Sequence, residues 1–253
     1  STSSGEEKAS STKTDDSSDS ENTSKDTNSE TNDSNKGDTV TNNEIGWLWT
    51  ISFENFSAYL YHHNNSRVNY TDLYVQGYIT EDRKNYIVTT TGGNRYAGPG
   101  VQLEGNRDLF AELGVDVGGL SAGSLIDCDI VEQVSLKAYN NLLEKAKSDA
   151  SSQGCSLSDT QAHAVTDAYY LNGPYSSATN FGSLYTQYGD TDNLANNYIG
   201  FSLVDSAENA NSRAKCTWAL FHFGKYHSVD SNFNAMVESG EIDGLSAGDD
   251  NIP

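Results

Sequence analysis

The chain has 253 residues, with 36 Asp and Glu against 15 Lys and Arg, for a formal net charge of −21. A field of that sign repels nucleic acid and anionic membrane surfaces, so neither is expected as a partner. No apolar run approaches the roughly 18 residues of a membrane-spanning helix.

Residues 1–44 carry 11 acidic and 4 basic side chains and contain no Leu, Ile, Met or aromatic residue. Such a segment buries too little apolar surface to offset its ordering entropy, so a disordered acidic Ser/Thr-rich linker is expected there. A polar tether ahead of a folded domain suits an extracellular or cell-surface protein, or a phage-associated one. The composition changes at Ile45-Gly46-Trp47-Leu48-Trp49, and the rest of the chain is long enough for one sizeable core. The expected division is a domain over 45–230 and a C-terminal extension over 231–253. With 25 acidic and 11 basic residues after position 44, the domain is itself acidic, which argues mildly against an anionic polymer as substrate.

Trp47, Leu48, Ile51, Ala58 and Tyr59 make a partial stripe that predicts a helix over 45–61, with Asn42 and Asn43 as caps. Glu54 falls near its end between Phe53 and Phe56. From Tyr70 to Val101 the β-formers dominate, broken at Gly92-Gly93-Asn94. This predicts an antiparallel hairpin of 86–91 with 95–101 and a third strand over 73–79. Asp127 caps a predicted helix to about Ser148, in which Ile130, Val131, Val134, Ala138, Leu142 and Ala146 recur at helical spacing. Ser158 and Gln161 form a capping box with Leu157 ahead of it, opening a helix that stops at Asn172-Gly173-Pro174. Further helices are expected at 178–188, 192–199 and 211–223, the last ending at Gly224. The pattern is α+β, a small antiparallel sheet and a mainly helical lobe flanking a cleft.

Cys128, Cys155 and Cys216 show no metal spacing, and an odd count leaves at least one free thiol. Cys155 and Cys216 can pair in an exported protein, or each can serve as a small buried residue. The five histidines form no HExxH pattern. No metal and no cofactor is expected, and His62 and His63 read as surface residues.

Four blocks in order carry a resemblance: Phe53-Glu54; Thr90-Thr91-Gly92-Gly93-Asn94-Arg95-Tyr96-Ala97-Gly98-Pro99-Gly100; the helix from Leu157 through Gln161 and Ala164 to Asn172-Gly173; and Arg213 through Leu220-Phe221 and Gly224 to Tyr226. Together they resemble the phage-type lysozymes, the muramidase family, over about residues 45–227. The resemblance implies a lysozyme-like fold and a peptidoglycan hydrolase, expected as a monomer, that cuts the β-1,4 bond between N-acetylmuramic acid and N-acetylglucosamine. It implies Glu54 as general acid and Tyr96, Asn94 and Gln161 as candidate contacts to the glycan strand. A carboxyl group among apolar neighbours suits the role, because burial disfavours the charged form.

The departures from the family pattern are specific. Aligned on Gly98 and Gly100, the family's catalytic Asp falls on Thr90 and its hairpin Thr on Tyr96. In the last helix, the family's second Arg and its Glu fall on Ala214 and Thr217. A neutral Thr90 hydroxyl can position a water but cannot stabilise an oxocarbenium charge as a carboxylate does. Three routes stay open: a nearby carboxylate such as Asp72, Glu81 or Asp82 supplies the second group; one Glu works alone, as in goose-type lysozymes and lytic transglycosylases; or the domain binds glycan as a structural module without cutting it. Gln161 reads equally as a capping residue, Asn94 as a turn residue, and Arg213 as a tie to a carboxylate.

Overall fold

The computed structural model describes residues 42–176, 179–188 and 212–242. Residues 1–41 of the expected linker and the helix expected at 192–199 lie outside the described residues. The described part is mixed α and β, mostly helical, with two small antiparallel sheets. Among the described residues, no helix is long and apolar enough to cross a membrane.

Helix α1 spans Asn42–Ile51, so the asparagines read as caps lie inside it. It is buried on nearly every side, with Ile45, Trp47, Leu48, Trp49 and Ile51 all in the core. Burial of the two indoles is tolerated because each N–H finds an acceptor. Trp47 Nε1 donates to Ser135 Oγ at 2.9 Å and Trp49 Nε1 to the His227 carbonyl at 2.8 Å. The single helix expected over 45–61 is broken at residues 52–55. Asn55 leaves helical backbone space, its side chain accepts from Ala58 N–H at 3.3 Å, and a second helix α2, Phe56–His62, starts there. A cap inside an apolar stripe outweighs the periodicity.

The strand expected at 73–79 is the short helix α3, Leu73–Gln76, begun by Asp72 accepting from Tyr74 N–H. Only the end of that stretch meets a strand: Ile79 bridges Tyr86, and the Tyr78 carbonyl accepts from Ile87 N–H at 2.8 Å. The expected 86–91 strand is split between two sheets. Strand β1, Asn85–Ile87, pairs antiparallel with β5, Leu125–Asp127. Strands β2 (Thr89–Thr91), β3 (Asn94–Ala97) and β4 (Val101–Gln102) form the other sheet. Val88 is the switch point: its backbone bonds to Ser124 and Gly123 beside β5.

Helix α4 spans Arg107–Glu112. Helix α5, Cys128–Ser152, starts at the expected Asp127 cap but runs one turn further than the sequence suggests. Its buried face is Val131, Val134, Tyr139, Leu143, Ala146 and Ala150, while Ile130 and Leu142 are only partly buried. Helix α6, Asp159–Asn172, opens with the complete capping box of Ser158 and Gln161. It is buried all along 162–169 and lies between α5 and α8 (Ser212–Phe223). Helix α7 spans Phe181–Tyr188. Helix α9, Ser231–Glu238, returns Phe233, Val237 and then Ile242 to the same core, with Phe233 against Phe56 at a ring separation of 6.0 Å. The expected extension after 230 is therefore part of the domain up to Ile242. The three cysteines are free thiols, with Cys128 and Cys216 buried.

His163 lies on α6, 3% exposed, with Nδ1 2.5 Å from the Tyr226 hydroxyl. Burial pushes its pKa down to about 4. A depressed histidine pKa means the unfolded chain binds the proton first, so this stability is complete above pH 6.5 and lost as pH falls toward 4. The difference in urea stability between the wild type and His163→Leu is therefore expected to shrink across that window by up to about 3 kcal/mol; a difference independent of pH removes the assignment. Val134, 1% exposed, gives a second test. Val134→Asp is expected to cost several kcal/mol through an unpaired buried charge and to unfold the domain, whereas an unchanged thermal midpoint would place Val134 outside the core.

Candidate active site

The backbone break between α1 and α2 carries Glu54 out of the helix, with its N–H bonded back to the Ile51 carbonyl at 3.0 Å. Its Oε1 accepts from Arg213 Nη1 at 2.7 Å. The same guanidinium grips Asp167 on α6, with Nη2 donating to Oδ1 at 2.8 Å and Nε to Oδ2 at 3.4 Å. Thr217 Oγ1 adds a bond to Asp167 Oδ2 at 3.0 Å. Asp167 is 1% exposed, and Phe53 covers the guanidinium with its ring centroid 4.9 Å from Cζ. Burial works against the Arg213 charge, but Asp167 and then Glu54 outweigh it and raise its pKa. Arg213 thus ties the last long helix to a carboxylate, and in fact to two.

The other oxygen of Glu54 faces the turn between β3 and β4. Gly100 has φ +73°, and a Cβ there would sit 2.6 Å from Glu54 Oε2. At Gly98, with φ +55°, a Cβ would meet the Tyr86 ring at 2.8 Å. Both backbone conformation and space demand glycine at these two positions.

Around Glu54 opens a cleft of about 590 Å³. Phe53, Tyr74, Tyr78, Tyr96 and Tyr170 supply aromatic wall, and Thr89, Thr91 and Gln102 supply polar groups. A second compartment of about 570 Å³ adjoins the first at Gly100, Gln102, Tyr170 and Leu171, and the two together are termed the groove. Tyr170 presents its ring to the groove, while its hydroxyl is buried beside Ser135, and that burial pushes its pKa up to about 12. Glu54 is the one carboxylate lining the first compartment among the described residues; Asp108 lines the second.

Glu54 and Tyr96 share this groove, and the other expected contacts do not line it. Thr90 is exposed and pairs with Arg95 across the sheet, while Thr89 pairs with Tyr96. Strand side chains alternate faces, so Thr89, Thr91 and Tyr96 line the groove and Thr90 turns away. Arg95 on that far face is held by Glu104 and by the carbonyls of Val117 and Leu120. Asn94 opens β3 opposite Thr91 at the hairpin turn. The Gln161 side chain is spent on the capping box, accepting from Ser158 N–H at 3.0 Å. Of the carboxylates considered as a second group, Asp72 caps α3, and Asp82 accepts from the Thr80 hydroxyl and Lys84 N–H. Neither these two nor Glu81 lines the groove. Sequence reasoning missed Tyr74, Tyr78, Tyr170 and Asp167. The tyrosine excess is visible in the sequence, but no period marks which of the 15 converge.

One further cluster is not marked by any spacing along the chain. His62, His63 and Glu132 come together with their ligand atoms within 4.8 Å of one another. Burial opposes charge on His63, but hydrogen bonding to Glu132 and the charges of Glu132 and Asp129 outweigh it and raise its pKa. None of these residues lines the groove.

Comparison with protein-family models, with curated proteins and with solved structures finds no match for this chain. Function is therefore argued from the residues.

The close approach of Gly100 to Glu54 can be tested against Gly92, which also has positive φ (+58°) but nothing within 4 Å. Gly92→Ala carries backbone strain alone, about 1–3 kcal/mol. Gly100→Ala is expected to lose measurably more in urea denaturation, because it also displaces Glu54. Equal losses at the two positions would show that the turn does not press on the carboxylate.

Proposed function

We propose that the protein is a lysozyme-like peptidoglycan hydrolase, a muramidase, that cleaves the β-1,4 bond between N-acetylmuramic acid and N-acetylglucosamine with Glu54 as the proton donor. The observation that carries this reading is one carboxylate held by a guanidinium on one oxygen, with its other oxygen against a glycine turn, in a groove walled by aromatic rings. Aromatic faces stack on sugar rings, and the neutral side chains of Thr89, Thr91 and Gln102 suit a ligand rich in hydroxyl and acetamido groups. The four sequence blocks supply the resemblance, and the Arg213 contacts give its terminal block a physical role.

In this mechanism Arg213 fixes the Glu54 rotamer through Oε1; Oε2 is the oxygen from which a proton would pass to the glycosidic oxygen as the C1–O bond breaks, leaving the carboxylate that Arg213 pairs with. Positive charge then develops on the sugar ring. With no second carboxylate lining that compartment among the described residues, an oxygen of the substrate itself closes on C1. If that oxygen is the C6 hydroxyl, its proton returns to Glu54 and a 1,6-anhydro end forms. If the acetamido oxygen closes first, water later opens the ring and gives a reducing end. The acidity of the chain is less damaging for a tethered enzyme than for a free one, since tethering sets the local concentration without electrostatic attraction. This role fits an extracellular, cell-surface or phage-associated setting.

A second reading is favoured by the absence, among the described residues, of a second carboxylate lining the Glu54 compartment: a glycan-binding or structural module of a cell-surface, phage or conjugation assembly that kept the shape and lost the chemistry. Digestion of purified peptidoglycan with mass analysis of the soluble products separates the two. Expected are muropeptides whose ends report which oxygen captured C1. Glu54→Gln should lower turnover by roughly 10²–10⁴-fold with little change in stability, while Thr90→Ala should leave turnover at the wild-type level. Full activity in Glu54→Gln overturns the assignment, and retention on peptidoglycan without released fragments selects the binding module.

A further inference from the structure

We propose that His62, His63, Glu132 and Asp129 bind one divalent transition-metal ion, Zn²⁺ foremost, which staples the C-terminal end of α2 to the first turns of α5. The argument begins with His62. Its Nδ1 lies 2.8 Å from the Arg83 carbonyl, which can only accept, so Nδ1 carries the proton. Nε2 faces the Asp129 carboxylate at 3.1 Å, so a metal would bind there in place of the proton that otherwise bridges the two, with the backbone carbonyl orienting the imidazole. That Nε2 lies 3.1 Å from Asp129 Oδ1 and 4.0 Å from Glu132 Oε1. His63 Nε2 lies 2.8 Å from Glu132 Oε2. Donors around a tetrahedral ion with bonds of about 2.0–2.2 Å sit roughly 3.3–3.5 Å from one another; the His62, His63 and Glu132 atoms already lie within 4.8 Å of one another, and the exposed Asp129 approaches through His62 as the fourth.

The support around these donors is also in place. Tyr86, fully buried, donates its hydroxyl to Glu132 Oε1 at 2.7 Å and orients that carboxylate. The side chains of His62 and Glu132 are only 16% and 12% exposed, so water competes weakly for them. Asp129 and Glu132 are three residues apart on α5 and therefore share a face of the helix. Two imidazoles with two carboxylates select a borderline transition ion over Ca²⁺ or Mg²⁺, which prefer all-oxygen sites. A cavity of about 530 Å³, lined in part by His63, Asp129 and Glu132, gives the ion a route from solvent. This cavity shares no residue with the groove around Glu54, so the ion is structural rather than a participant in bond cleavage.

The test is calorimetric titration of ZnCl₂ into the full, chelator-treated chain, with thermal melts alongside. One equivalent is expected to bind and to raise the thermal midpoint. His63→Ala and the pair His62→Gln with His63→Gln should weaken binding by at least roughly 100-fold, while His222→Gln should bind as wild type. Co²⁺ in place of Zn²⁺ should give the intense visible absorption of a four-coordinate site. Absence of saturable Zn²⁺ binding, binding that survives the double variant, or Ca²⁺ competing on equal terms would each overturn the proposal. None of these readouts depends on peptidoglycan cleavage, so this site and the activity stand or fall separately.

Discussion

A guanidinium removed from water has to be matched by negative charge, and that requirement on Arg213 organises much of this domain. Asp167, buried on α6, takes two of its nitrogens, and Glu54 takes the third. Removing Asp167 from such a group leaves a buried charge with only the partly exposed Glu54 beside it, at a cost of about 3–5 kcal/mol. The contact therefore locks three parts of the chain that are far apart in sequence: the α1–α2 break, the middle of α6 and the start of α8. Thr217, one turn along from Arg213, holds the second oxygen of Asp167 and leaves the pair little freedom to rearrange.

From Glu54 the constraint passes to the sheet. Gly100 presses on the carboxylate and Gly98 presses on the Tyr86 ring, so the β3–β4 turn is wedged between two side chains. Tyr86 in turn donates to Glu132, which faces His63 beside α2. A continuous packed path thus runs from the groove to the histidine cluster, although the two share no lining residue. Gly98 and Gly100 carry positive φ at the groove end of this path, and Asn64 and Arg83 carry it near the histidine end.

The acidity of the chain and the chemistry of the groove are reconciled by what lines it. The first compartment holds five aromatic rings and a single carboxylate among its described residues. Stacking and neutral hydrogen bonds do not depend on the sign of the surrounding field, whereas recognition of a polyanion through its charge does. A neutral sugar backbone is the ligand class that suffers least from a net charge of −21.

The sequence by itself determined what local rules govern. The Asp127 cap, the Ser158–Gln161 capping box, the stop at Gly173 and the glycine pair at 98 and 100 are set by residues within a few positions of one another, and all were legible. Glu54 was legible because it follows an apolar run with aromatic neighbours. Where two local signals competed, the sequence misled: Asn55 broke a helix that periodicity extended, and Asp72 turned a β-rich stretch into a helix. The split of 86–91 between two sheets depended on the distant strand at 125–127, which no local pattern announces. Tertiary structure alone decided which face of β2 met the groove, turning Thr90 away and Thr89 and Thr91 inward, because one residue of register reverses every side chain. It alone brought Asp167 and Arg213 to Glu54, and His62 and His63 to Glu132, which is 69 positions beyond His63. Charge pairing and the convergence of side chains act through space, and spacing along the chain carries no record of them.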